Sequence, residues 1–271
     1  EYPFLKSHVM NGHAVLPVAM MTEWFGHGAM HDNPGLLYIG FDELRVFKGV
    51  TLTSATAVDL QILAGLSIKS GEIEVVPVEL RSGNTLHAQA RVVLATAYPE
   101  LPQPVTADVT GAYPFNHDQI YQSGQLFHGP ALHGIKSVEV CSDKGMIAQV
   151  QAAPRPLEWM EKPIRSSWLA DPLALDASFQ MMILWCFQQL GMGSLPTGMA
   201  RYRQYQRSFP REGTRVVVHI DQYTDHNTKA LIEFLDHNDN LIARIEGYEC
   251  VSDASLNQAF TRNQLVIQTQ G

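Results

Sequence analysis

His8, Gly12 and Pro17 stand near the start of the chain as His-x3-Gly-x4-Pro, while Asp176 and Gln180 lie one helical turn apart deep in its second half. An imidazole exchanges protons near neutrality, and a carboxyl group withdrawn from water keeps its proton. A proline opening a helix stands beside free N–H groups able to hold a carbonyl oxygen. A base, an acid and anion donors are the parts of a proton-transfer site. More than half the chain separates the two fragments, so only tertiary structure can make them one acid/base pair. Taken singly, each has a plainer reading. His8 is then a hydrogen-bonded loop histidine, Asp176 a cap on a neighbouring loop, and Gln180 a partner for backbone groups.

The element carrying Asp176 is unusual. Between Leu173 and Phe187 the only side chains more polar than Cys or Trp are Asp176, Ser178 and Gln180. Asp171 suits the N-cap, Pro172 the first helical position and Gly191 the terminating position, which predicts a helix over Pro172–Leu190. A helix apolar on every side is a buried one. Asp176 and Gln180, at i and i+4, share a face, so a carboxyl group in poor solvent sits one turn from an amide. A second helix is predicted from Pro17 to about Ala29, with Val18, Met21, Trp24 and Phe25 at helical spacing and Gly26 and Gly28 weakening its end. Met20, Met21, Met181 and Met182 read as core filling rather than a grip on a ligand.

Alternating or continuous apolar runs predict strands at 37–39, 44–47, 57–63, 73–80 and 86–94. Pro99, Pro102 and Pro104 then interrupt both helix and ladder, marking a stiff linker. Short strands at 136–140 and 146–152 precede the Pro172 helix, and more follow at 215–220, 230–235 and 241–250. One long helix with antiparallel strands, twice over, implies two similar units: 1–98, a linker at 99–111, and 112–271.

Composition narrows the function. The chain has 271 residues, 45 % hydrophobic and 17 % charged, which describes a globular protein. With 19 basic against 27 acidic residues the net charge is −8, which argues against nucleic acid as the main partner. No apolar stretch is long and uninterrupted enough for a membrane span. Cys141, Cys186 and Cys250 are odd in number and fall outside any CxxC pattern, which fits a reduced, cytoplasmic setting. His13, His128 and His133 lack a helical HxxxH pair or a cysteine partner, so no metal is expected. The start at Glu1-Tyr2-Pro3, with neither Met nor a signal-like segment, predicts a piece of a longer polypeptide.

These residues resemble a family. His8 to Pro17 resembles the HxxxGxxxxP motif of polyketide synthase dehydratase domains, and Asp176-Ala-Ser-Phe-Gln180 resembles their DxxxQ/H motif. Between them, Leu126-Phe-His128-Gly129-Pro130-Ala-Leu-His133-Gly134-Ile resembles a GYGPxFxGL-like segment, and Leu195-Pro196 a later pair. Order and spacing agree from about Pro3 to Val251. Related domains occur in bacterial polyunsaturated fatty acid synthases. Asp171 stands where the family usually has His, His128 where it usually has Tyr, and the leading strand of the first unit is short.

The resemblance implies an α+β double hot-dog fold, two antiparallel sheets each wrapped round a long central helix. It also implies dehydration of a 3-hydroxyacyl thioester on an acyl carrier protein to the 2-enoyl thioester, with no cofactor, alongside the other domains of a synthase. On that reading His8 is the base that removes the C2 proton, and Asp176 is the acid that protonates the leaving hydroxyl. Gln180 holds Asp176, and the Gly12 N–H stabilises the thioester oxygen. Pro17, Gly129 and Pro130 then shape the substrate tunnel, although each serves equally as an ordinary turn residue. Arg201, Arg203 and Arg207, in a run with Arg211 and Arg215, form either a docking patch for the acidic carrier protein or a solvated face. A homodimer is compatible with this reading. Two alternatives stay open: a product-template-type cyclisation domain using the same pair, and a non-catalytic double hot-dog that binds acyl chains or acts as scaffold.

Overall fold

Two long helices lie against the sheet of the computed structural model, which describes residues 2–52 and 58–266. The first spans Val18–His31 and the second Pro172–Leu190. The second helix begins and ends as its sequence requires. The Asp171 carboxylate accepts from the N–H groups of Leu173 and Ala174, and Gly191 closes the helix at φ 70°. Asp171 also accepts from Ala153 N–H (2.9 Å), so the cap ties the helix to the preceding segment. Every residue from Pro172 to Cys186 is buried.

The first helix differs slightly from expectation. Pro17 is its N-cap, with extended ψ of 140°, not its first helical residue. Gly26 and Gly28 do not end the helix. A Cβ on Gly26 would stand 2.6 Å from Leu169, and one on Gly28 would stand 2.5 Å from Ile62, so both glycines admit close neighbours. Glu23 on this helix is buried, and its carboxylate accepts from Leu169 N–H (2.8 Å) and Ala170 N–H (3.2 Å). It joins the first helix to the segment leading into the second.

Both helices pack on one antiparallel sheet of eleven strands. Its first-half portion runs Gln61–Ala64, Ile73–Ser82, Thr85–Ala95, Leu37–Val46. Its second-half portion runs Gly193–Gln204, Leu241–Asp253, Asn227–Leu235, Thr214–Tyr223, Gly145–Val150, Ile135–Ser142. The two portions therefore meet edge to edge, where Leu37–Val46 pairs with Gly193–Gln204. The runs at 37–39 and 44–47 form that single strand, kinked where Glu43 takes φ 54°. Gly193–Gln204, absent from the sequence-based expectation, carries Pro196 and an irregular register there, which hides its alternation. The run expected at 57–63 is a strand only over Gln61–Ala64, and Ala57 lies outside the described residues.

Between Ala95 and His117 there is no helix or strand. This proline-rich stretch lies across the second-half strands, with Val105 N–H donating to the buried Glu233 carboxylate (3.0 Å) and Gln103 O accepting from Arg244 (2.9 Å). All three cysteines are free and buried. Among the described residues no helix is long and apolar enough to cross a membrane.

The junction between the half-sheets rests on one glycine. Gly40 has φ +139°, and a Cβ there would stand 2.0 Å from Tyr202 O across the seam. Gly40→Ala is expected to cost about 3 kcal/mol or more in chemical denaturation. Gly83→Ala, at φ +53° with open space around it, is expected to cost only about 1–2 kcal/mol. Equal losses would show that the seam is not tightly built.

Candidate active site

The segment before the first helix brings its histidine to the other half of the molecule. Pro3–Ser7 forms a single 3-10 turn. Gly129 N–H donates to Ser7 O (2.7 Å), Ala131 N–H donates to Ser7 Oγ (3.2 Å), and His8 forms a backbone bridge with His128. A short hairpin follows, pairing Val9 with Ala14 and Met10 with His13. Its two-residue turn is Asn11 (φ 51°) and Gly12 (φ 81°), both left-handed as a type I′ hairpin needs. The fold-back lets Val15 N–H donate to His8 O and His8 Nδ1–H donate to Val15 O (2.6 Å). That bond fixes the tautomer and leaves the Nε2 lone pair free.

Asp176 arrives from the second long helix. Gln180 Nε2 donates both to Asp176 Oδ2 (2.8 Å) and to Leu132 O (2.8 Å), while Gln180 Oε1 accepts from Tyr121 (3.0 Å). Tyr121 Oη in turn accepts from Ile135 N–H (2.8 Å). The amide is thus held at every polar atom and aims at the carboxyl group. His128 Nε2 stands 3.4 Å from Asp176 Oδ2.

His8, His128 and Asp176 all line one cavity of about 260 Å³. Its walls are otherwise mainly apolar, with Leu16, Val18, Met21, Phe127, Phe179 and Ile183 facing it. The His8 ring meets the edge of Phe127 (4.8 Å), and His128 stacks on the same ring (4.2 Å). Exposed Phe47 and Lys48 stand at the opening.

Dry walls set the protonation states. Burial lowers His8 to about 4, against a smaller upward pull from its bond to Val15. Burial, then the neighbouring imidazoles of His8 and His133, hold His128 well below the usual histidine range. Burial raises Asp176 to about 7, partly offset by the Gln180 hydrogen bond. Near neutrality both imidazoles are uncharged, so the His128–Asp176 contact is not an ion pair. A neutral base and a protonated acid facing one cavity can remove one proton and deliver another.

The remaining candidates fall elsewhere. Gly12 does not face the cavity: its N–H donates to Arg262 O (2.8 Å), and its carbonyl accepts from Val266 N–H (3.0 Å). The hairpin tip is docked on the C-terminal segment, so Gly12 shapes the turn and holds no oxyanion. Val18, at the start of the first helix, does line the cavity. The first N–H groups of that helix have no intrahelical acceptor. Pro17, Gly129 and Pro130 are not wall residues either. Pro17 caps the helix, Gly129 packs 3.1 Å from Ser7 Cα measured from where a Cβ would lie, and Pro130 opens the turn that presents Leu132 O to Gln180. Their neighbours Leu16, Val18, Phe127 and His128 form the wall.

The arginines are not a free cluster. Arg203 pairs with Asp42 (2.8 Å), Arg201 pairs with Asp42 and Glu246, and Arg215 pairs with Glu139 (3.0 Å). Register along the 193–204 strand sets Arg201 opposite Asp42 and Glu246, and Arg203 reaches Asp42 diagonally, which neutralises both. Of the three expected docking residues, Arg207 alone is exposed with no carboxylate partner among the described residues. Tyr121 is the site residue that sequence reading overlooked, and His128, noted there only as a departure from the motif and as a rejected metal ligand, joins it at the cavity. The Asn11-Gly12 dipeptide was a legible hairpin signal that would have placed the Val15 carbonyl beside His8.

Known proteins share this arrangement of elements. The model of the family described as polyketide synthase dehydratase N-terminal domain matches residues 89–258. That span contains His128 and Asp176, and His8 precedes it. Over 259 residues, 93 % of the chain, the sequence is 25 % identical to a polyunsaturated fatty acid synthase polypeptide of Thraustochytrium sp. (strain ATCC 26185 / S-3). The chain spans only 9 % of that relative's length. Among solved structures, the dehydratase domain of a mycocerosic acid synthase-like polyketide synthase superposes with TM-score 0.70 at 23 % identity, covering 92 % of this chain and 86 % of that one. The CurF dehydratase domain of curacin polyketide synthase gives 0.71 at 16 %, covering 92 % and 88 %. The dehydratase domain of PpsC from Mycobacterium tuberculosis, solved with C12:1-CoA, gives 0.66 at 19 %, covering 92 % and 89 %. The shared fold is the double hot-dog.

Protonation states make the site's pH behaviour predictable. The acid must be protonated and the base neutral, so kcat/KM for a proton-transfer substrate should fall below pH about 4 and again above about 7. The Gln180 bond lowers the Asp176 value, so Gln180→Leu should move the alkaline limb upward. It should also destabilise the fold by about 1–3 kcal/mol by leaving the Tyr121 hydroxyl without its acceptor. An alkaline limb unmoved by Gln180→Leu would mean that another group sets it.

Proposed function

Because the chain belongs to the polyketide synthase dehydratase family, we propose that it removes water from a 3-hydroxyacyl thioester carried on an acyl carrier protein, yielding the 2-enoyl thioester. The observation that carries this reading is the meeting of His8 and Asp176 at one apolar-walled cavity in the protonation states the reaction needs. His8 Nε2 takes the C2 proton, and the electron pair left behind forms the C2–C3 double bond as the hydroxyl leaves. Asp176 gives its proton to that hydroxyl, which departs as water. Negative charge developing on the thioester oxygen faces the free N–H groups that open the first helix, a preorganised anion site. Gln180 orients the carboxyl group throughout.

The cavity supports a linear acyl chain. Its mainly apolar lining suits an acyl chain. Exposed Phe47 and Lys48 at its opening give the carrier's pantetheine arm an apolar surface and a cation for its phosphate. The partners are then an acyl carrier protein and the other domains of a synthase. A polyunsaturated fatty acid synthase is the setting nearest to the Thraustochytrium likeness.

The test uses 3-hydroxyacyl carrier-protein thioesters, or N-acetylcysteamine surrogates, of several chain lengths, with loss of water followed by mass spectrometry. His8→Ala and Asp176→Asn are each expected to reduce turnover by about a thousandfold or more while the protein stays folded. Turnover that survives both substitutions would remove the assignment. A parent protein inactive on every chain length would favour the cyclase or the non-catalytic reading.

A further inference from the structure

His128 has no task in the acid/base reaction, yet it is 5 % exposed and shares the cavity with both reacting side chains. Its ring centre lies 5.1 Å from that of His8, and its Nε2 lies 3.4 Å from Asp176 Oδ2. Its Nδ1 is buried with no hydrogen-bond partner, so no hydrogen bond from that nitrogen fixes the ring. One ligating atom from each of His8, His128 and Asp176 falls within 4.8 Å of the other two.

We infer that these three side chains form a binding site for a divalent transition-metal ion of the zinc class, and that its occupancy blocks the acid/base pair. Two imidazoles and one carboxylate with open positions beside them are a recurrent donor set for such ions. The surrounding shell suits the role. His8 Nδ1–H is tied to Val15 O, which turns the Nε2 lone pair outward as metal-bound histidines require, and Gln180 fixes the carboxyl group in the same way. The cavity leaves room for solvent at the open positions.

Bonds of about 2.0–2.1 Å place two ligands of a tetrahedral zinc about 3.3 Å apart, so the widest pair must close by about 1.5 Å. His128 is free to supply that movement, because no hydrogen bond holds its Nδ1. The other histidines that stood out in the sequence take no part. His13 is exposed on the hairpin, and His133 Nε2 bonds to His128 O. Binding rests on this geometry alone. The inhibitory consequence rests on the dehydratase reading, since the metal would occupy the lone pair that His8 needs and the carboxyl group that must carry a proton.

The test is titration of the metal-free full chain with Co²⁺, followed by its visible absorption. The expected result is an intense low-symmetry band that saturates at one equivalent and is displaced by Zn²⁺. His128→Phe, checked for folding by circular dichroism, should weaken binding at least about tenfold, whereas His13→Ala should leave the titration unchanged. In parallel, Zn²⁺ should inhibit dehydration in step with occupancy, and a chelator should restore it. Absence of a saturating band, or a band undiminished in His128→Phe, would overturn the site. Binding without inhibition would overturn the blocking role. A chain that binds cobalt but never dehydrates any substrate would support the site while removing the dehydratase reading.

Discussion

Keeping one carboxylic acid out of water is the constraint on which this structure turns. Burial moves Asp176 from 3.8 to about 7, a difference of about 4 kcal/mol between its two protonation states. Isolated in a flexible loop, such a group would simply find solvent. Here it sits on a helix whose every residue from Pro172 to Cys186 is buried. Each large apolar side chain on that helix contributes about 1.5–3 kcal/mol on burial. A few of them outweigh the penalty, so the carboxyl group must stay where the helix holds it. The same dryness keeps His8 neutral, so one physical cause prepares both the acid and the base.

A dry site still needs its two groups to face each other, and they come from opposite halves of the chain. Two connections secure this. The seam between Leu37–Val46 and Gly193–Gln204 makes one sheet of the two halves, tight enough at Gly40 to exclude a methyl group. At the cavity, the bridge between His8 and His128 and the bond from Gly129 to Ser7 tie the opening segment to the second half. The hairpin at Asn11-Gly12 returns the chain so that Val15 orients the imidazole. The long motif spacing therefore reflects a local construction: a histidine, a two-residue turn, a carbonyl that grips the ring, and a helix start.

The same arrangement explains why His128 matters. Its backbone joins the halves while its ring rests against Phe127 beside the acid, so one residue serves both the assembly and the cavity. A second imidazole at this point gives the site a donor set that a base and an acid alone would lack.

Much of this was legible from residue order. Asp171, Pro172 and Gly191 delimited the second helix, its unbroken apolar character declared its burial, and Asp176 with Gln180 at i and i+4 announced a carboxyl group beside an amide. These are local consequences of periodicity and capping, which require no partner. What residue order left open was contact across the fold. Gly12 looked like an anion donor because its spacing from His8 was visible, whereas its real acceptor, Arg262, lies at the far end of the chain. Arg201 and Arg203 looked like a free basic face because the carboxylates of Asp42 and Glu246 are remote in sequence. His128 looked like a departure from a motif until folding set it between His8 and Asp176. Local chemistry depends on neighbours along the chain and can be read there. Pairing, charge neutralisation and the membership of a cavity depend on which surfaces meet, and only the tertiary structure decides that.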